Sequence, residues 1–183
     1  LYAADRKSVL LVFQAMDAKL ARVDVYHFPT LRTDAKVQVQ QVFDSQLTAD
    51  FAGMYWLDVE MYDNPSHWDL SGTSSAHASN LAFMQGVLDE ACTQLDLGAS
   101  RCKERVGVYT DRNSWKDITG NSTEFADYPL WWAAYDNDDT DAGFTQLGGW
   151  KSPFMKQWLP NDTECGVEFD ENALFVGVSE EAG

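Results

Sequence analysis

The sequence predicts an α/β fold built on a parallel sheet or barrel. Two observations predict it. Short strand-like runs alternate with longer apolar runs at helical spacing through the first two thirds of the chain. The last third then carries strand-like runs without full helices between them. No Pro-, Gly- or Ser-rich linker divides the 183 residues, so one domain, 1–183, is expected.

Each element has its own signal. Val9, Leu10, Val12, Phe13, Met16 and Leu20 give residues 5–20 an apolar helical stripe. Arg22 to Phe28 alternates and stops at Pro29, as a strand would. Asp34 is placed to cap a helix carrying Val37, Val39, Val42, Phe43 and Leu47. Met54 to Glu60 reads as a second strand, followed by a Ser/Gly-rich loop. A long helix follows from about Ser75 to Leu95, with Leu81, Met84, Val87, Leu88, Cys92 and Leu95 on one side. Arg105 to Thr110 is a third strand, and Asp111 to Ile118 a short helix. Pro129–Tyr135, Phe154–Trp158 and Val167–Asp170 supply the last three strands.

Charge narrows the function. Thirteen Lys and Arg face twenty-nine Asp and Glu, a formal net charge of -16. Such a chain repels a phosphate backbone and an anionic membrane surface, so neither nucleic acid nor membrane is an expected partner. An enzyme working in acid, where many carboxylates are neutral, fits this composition. No apolar run reaches the length of a membrane span. With three histidines and no C-x-x-C pair, neither a metal nor a cofactor is expected. The chain opens at Leu1 without a leader-like segment, so a cut or processed N-terminus is expected.

Cys92 and Cys102 flank a Gly-containing turn and are placed to pair locally, which leaves Cys165 odd. Asn121-Ser122-Thr123 and Asn161-Asp162-Thr163 are glycosylation sequons. Together these point to a secreted or lysosomal protein.

The chemistry centres on Asp58 and Glu60. Two apart on a strand, their side chains share a face, and Trp56 shares it with them. They fall near the C-terminal end of that strand, where α/β barrels build active sites. Crowding raises the pKa of one carboxyl, so a neutral acid can protonate a leaving group beside an ionised partner. Glycoside hydrolysis uses that pairing. Asp170 ends another strand-like run, and Tyr26, Tyr109 and Tyr135 fall near strand ends where they could bond a sugar. Trp131, Trp132, Trp150 and Trp158 suit a saccharide groove or a barrel core, and Trp132 is taken as a candidate sugar contact. His27 is not expected to be catalytic, and His67 and His77 read as solvated loop residues. Asp136 to Asp141 begins like a calcium loop. It has Asp141 at the glycine position and Leu147 at the final glutamate position, which rejects an EF-hand.

Taken in order, several segments resemble glycoside hydrolase family 25, the Chalaropsis-type lysozymes, in a eukaryotic-like variant. They are Val23–Pro29, Trp56–Glu60, Val106–Thr110, Pro129–Ala133, Lys156–Trp158 and Val167–Asn172. The resemblance spans about residues 5–178. It implies a (β/α)5β3 TIM-like barrel and N-acetylmuramidase activity on bacterial cell-wall peptidoglycan, by a chain expected to act as a monomer. By the match, Glu60 would be the general acid. Asp58 would be the partner carboxylate that orients or stabilises the substrate's 2-acetamido group. Asp170 would line the groove, with Tyr109 and Tyr135 as substrate contacts. The family opens with an aspartate-bearing strand in a Gly-x-Asp-Val-Ser-like motif, and nothing here matches it. The barrel is therefore expected to lack its first two strands. Two competing readings follow. A chitinase-like hydrolase would carry an Asp-x-x-Asp-x-Asp-x-Glu run, of which this chain has only the last two carboxylates. A saccharide-binding remnant would keep the groove without turnover.

Overall fold

The computed structural model describes residues 23–46, 53–61 and 67–175. The helix expected over 5–20 and the position of Leu47 lie outside them. In chain order the elements are β1 (Val25–His27), α1 (Ala35–Gln46), β2 (Tyr55–Val59), α2 (Ser74–Gln94), α3 (Ala99–Cys102), β3 (Val106–Thr110), α4 (Arg112–Thr119), β4 (Leu130–Ala133), β5 (Met155–Glu164) and β6 (Val167–Leu174). The strands form one mixed sheet in sequential order, β1 to β5 parallel and β6 antiparallel. Among the described residues the sheet is open, with β1 and β6 as its edges. The expected barrel is thus represented among these residues by one open six-stranded mixed sheet.

Each β-to-α alternation follows from pattern. β2 and β3 are buried along their whole length, as strands covered on both faces must be. Tyr55, Leu57, Val59, Val106, Val108, Leu130 and Trp132 join the core with Val39 of α1 and Met84, Val87 and Leu88 of α2. α1 buries Val39 and packs Val42 and Phe43 on that core, while Val37 is 42% exposed and off the stripe. Thr73 caps α2 by accepting from the Ala76 amide at 3.1 Å, and buried Asn80 ties it to Asp69 and to the Ile118 carbonyl. Gly107 on β3 leaves room for the Trp56 ring, since a Cβ there would lie 2.3 Å from it.

Three local readings are corrected. The turn between the paired Cys92 and Cys102 contains the short helix α3. β5 and β6 run much further than expected, because Cys165 and Gly166 both take positive φ (53° and 76°) and close a tight hairpin. His67 is buried rather than solvated. Its Nδ1 lies 2.5 Å from the Pro29 carbonyl oxygen and its ring stacks on Phe28 at 4.1 Å.

The acidic loop after β4 wraps a lysine. The fully buried Lys156 ammonium donates to Asp136 at 2.9 Å and to the carbonyls of Asp138 and Thr140 at 2.6 and 2.9 Å, and it stands 5.0 Å from the Trp132 ring. Its three donors are thereby met.

Candidate active site

Strand register assembles the site. Parallel partners share a face, so Asp58 stands level with Tyr109, and Tyr109 level with Trp131. Tyr26 aligns with Trp56, and Ala133 with Gln157, on the same side. The opposite side of the sheet faces the helices and carries Trp132, which packs against Phe144 in the core. The structure therefore does not bring Trp132 to the carboxylates. Trp131 is the tryptophan on their face, 4.8 Å from the Tyr109 ring and 5.7 Å from Trp56. Strand parity carried that distinction, since Trp131 and Trp132 alternate.

Asp58 is 4% exposed, and its Oδ1 has no hydrogen-bond partner among the described residues. Leaving a buried polar atom unpaired costs about 1–3 kcal/mol, so native structures seldom keep one without a use. Burial first, and the Glu60 charge second, push the Asp58 carboxyl up to about 9. Glu60 follows the last residue of β2 and is half-buried. Burial and then the Asp111 carboxylate raise it above the ordinary glutamate value.

The backbone under Glu60 is pinned on three sides. Thr110 Oγ1 donates to the Val59 carbonyl at 2.6 Å, Trp68 Nε1 to the Glu60 carbonyl at 3.1 Å, and the Met61 amide to Ser114 Oγ at 3.0 Å. Ser114 in turn donates to Asp111, which caps α4 by accepting from the Asn113 and Ser114 amides at 2.7 and 3.1 Å. Sequence reading placed Asp111 at the start of the helix and gave Ser114 no role. A cap residue followed three positions later by a buried serine was the available signal.

Across the sheet a hydrogen-bonded chain ties the remaining candidates together. The Tyr109 and Tyr135 hydroxyls lie 3.1 Å apart and both donate to Gln157 Oε1, at 2.6 and 2.9 Å. Gln157 Nε2 donates to Asp170 Oδ2 at 2.9 Å, and the Asn161 amide to Asp170 Oδ1 at 2.9 Å. Gln157 is the hub that sequence reading missed, although alternation along β5 puts it on this face. Tyr26 is 63% exposed at the mouth. Its phenol is raised by desolvation and then by Asp58, Glu60 and Asp170, which places all three carboxylates around it. His27 faces the other way. It bonds the Tyr55 hydroxyl at 2.5 Å, and burial lowers it to about 4. Among the described residues no group of three or more His, Cys, Asp or Glu is arranged to hold a metal.

A family model described as lysozyme-like protein 1 matches residues 2–158. The chain is also 30% identical over 163 residues to "Probable GH family 25 lysozyme 2" of Dictyostelium discoideum, covering 88% of this chain and 69% of that one. The chain belongs to the glycoside hydrolase family 25 lysozymes. Within its reach is also "Counting factor 50" of the same organism, 31% identical over 167 residues, 87% of this chain and 50% of the relative. The fold agrees. The muramidase structure from Trichobolus zukalii superposes with a TM-score of 0.69 at 22% identity, covering 92% of this chain and 74% of that one. In this family 25 lysozyme, strand register presents Asp58, Tyr109 and Gln157 on one face.

Proposed function

We propose that the chain is a lysozyme that hydrolyses the β-1,4 bond between N-acetylmuramic acid and N-acetylglucosamine in bacterial peptidoglycan. One observation carries this reading. Glu60 stands half-buried just past the end of β2, and beside it Asp58 holds a buried oxygen with no partner among the described residues.

Glu60 acts as the general acid. Burial and Asp111 favour its neutral form, which can give a proton to the glycosidic oxygen as the bond to C1 breaks. A bound sugar's acetamido N–H is a donor that suits the orphan Oδ1 of Asp58. Accepting that bond favours the ionised form of Asp58 against its burial. The acetamido oxygen then attacks C1 from within the sugar, and the positive charge that grows on its N–H strengthens the bond to Asp58. Water, activated by the Glu60 carboxylate, opens the ring intermediate and returns the proton to Glu60. Tyr109, Tyr135, Gln157 and Asp170 form one wall of the groove. The sequential strand order with an antiparallel β6 supports reading the sheet as part of a (β/α)5β3 barrel. The Cys92–Cys102 disulfide and the exposed Asn121 and Asn161 support a secreted or lysosomal site of action.

Digestion of purified cell walls tests the reading. New reducing ends on N-acetylmuramic acid are expected, and reducing ends on N-acetylglucosamine alone would contradict it. A second reading is a family member that binds saccharide without turnover. Wall binding by a folded chain with no new reducing ends would support that reading instead.

A further inference from the structure

A cavity of about 690 Å³ opens beside the catalytic strand end, lined among the described residues by Met61, Leu70, His77, Arg112, Lys116 and Asp117 in part. We propose that it binds the anionic stem peptide that muramic acid carries on its lactyl ether, with Arg112, Lys116 and His77 as the recognising groups. The choice of ligand rests on the lysozyme reading.

Charge is the first argument. This chain has thirteen basic residues against twenty-nine acidic ones, yet two of the thirteen and an imidazole converge here. Asp117 is the one carboxylate among the described lining residues, and neither Arg112 nor Lys116 forms an ion pair among the described residues. Asp69 lies near enough to His77 to feel its charge. Arg112 is held rather than neutralised. Its guanidinium donates to the Thr145 and Gln146 carbonyls at 2.7 and 3.2 Å and to the Thr145 hydroxyl, all uncharged acceptors. A fixed cation with its charge unspent suits a carboxylate.

Shape and position are the second. Gly120 ends α4 in the left-handed region (φ 66°), and a Cβ there would meet His77 Nδ1 at 2.6 Å, so the turn seats the imidazole. Met61 and Leu70, 38% and 44% exposed, offer apolar contact to alanine methyls. Met61 directly follows Glu60, and its amide is held by Ser114 of the same helix that carries Arg112 and Lys116. A glycan strand lying across Glu60 therefore passes this cavity. A neutral saccharide has no need of the cations. A stem peptide, with the free α-carboxylate of its γ-linked glutamate and a C-terminal carboxylate, does.

The test is equilibrium binding of the N-acetylated tetrapeptide N-acetyl-L-Ala-γ-D-Glu-L-Lys-D-Ala, whose acetyl group stands in for the lactyl acyl group, to the full chain by calorimetry, beside the same peptide with both carboxylates amidated. The Lys116→Gln/His77→Ala variant is run in parallel, its fold checked by circular dichroism. Saturable binding is expected, weakened about fivefold or more by amidation and by the variant, the scale of a few modest surface charge contacts. Equal binding of acid and amide, binding unchanged in the variant, or no binding would overturn the proposal. The amidated peptide keeps the test valid if the variant is unstable. On cell walls, the KM ratio between peptide-stripped and peptide-bearing glycan is expected to exceed one and to fall towards one in the variant. Peptide binding without glycan cleavage leaves this site standing and removes the lysozyme reading. Cleavage without peptide binding does the reverse.

Discussion

Asp58 is the residue where stability and function are set against each other. Its carboxyl is raised from 3.8 to about 9, chiefly by burial, so the folded chain holds a proton there that the unfolded chain releases. The sign follows from linkage: this contribution is complete below about 3.8 and is lost as pH rises towards about 9. Asp58→Asn is therefore expected to raise the thermal midpoint at pH 7 by several degrees, on the scale of about 1–3 kcal/mol for an unpaired buried polar group, and by less at pH 4. The same variant is expected to lose most of its activity. A midpoint that falls at pH 7 would contradict the cost assigned to this oxygen. Glu60 limits function in the same direction, since an acid catalyst fails as pH rises through its pKa. Asp111→Asn keeps the helix cap but removes the charge that helps raise Glu60. The alkaline limb of the pH–rate profile is expected to move to lower pH, and an unmoved limb would exclude Asp111 from tuning Glu60.

At the scale of elements, two braces hold the site. The first links β2 to α4 through Met61, Ser114 and Asp111. Ser114→Ala removes the link that fixes the backbone beside Glu60 and leaves the Glu60 carboxyl chemically unchanged. A fall in kcat of about tenfold, with KM little changed, is expected from misplacing an acid by a fraction of an ångström; a change confined to thermal stability would make Ser114 merely structural. The second is the loop around Lys156. Lys156→Met leaves two carbonyls and the part-exposed Asp136 carboxylate without their donor, and a loss of about 1–3 kcal/mol in urea unfolding is expected. Here the limits of the sequence are plain. The 136–141 run begins like a calcium loop, yet its Asp136 carboxylate and its Asp138 and Thr140 carbonyls hold a lysine from β5, and no local pattern carries that fact. Gln157 was hidden for the same reason, since its partners come from β3, β6 and the segment after β4.

For the whole molecule, the legible part was what periodicity controls. The six strands, α1, α2 and α4 and the shared face of Asp58 and Glu60 follow from spacing, from Asp34 as a cap and from Asp111 as a helix start, while the Thr73 cap of α2 was not read. The choice between Trp131 and Trp132 needed register against β3 and β5, and the long β5–β6 hairpin needed the left-handed Cys165-Gly166 turn. Net charge also acts at this scale. At -16 the chain repels itself at neutral pH, and acid relieves both that repulsion and the strain on Asp58. Stability is therefore expected to be greater near pH 5 than at pH 8, with part of the difference suppressed by salt; a maximum above neutrality would count against this.

The most direct measurement compares wild type with Glu60→Gln on purified peptidoglycan, scoring wall binding by sedimentation and N-acetylmuramic acid reducing ends in the same tubes. Release by the wild type, with binding kept and release abolished in the variant, is the expected result. Release that survives the substitution, or that the wild type never shows while folded and bound, would contradict the assignment of this site.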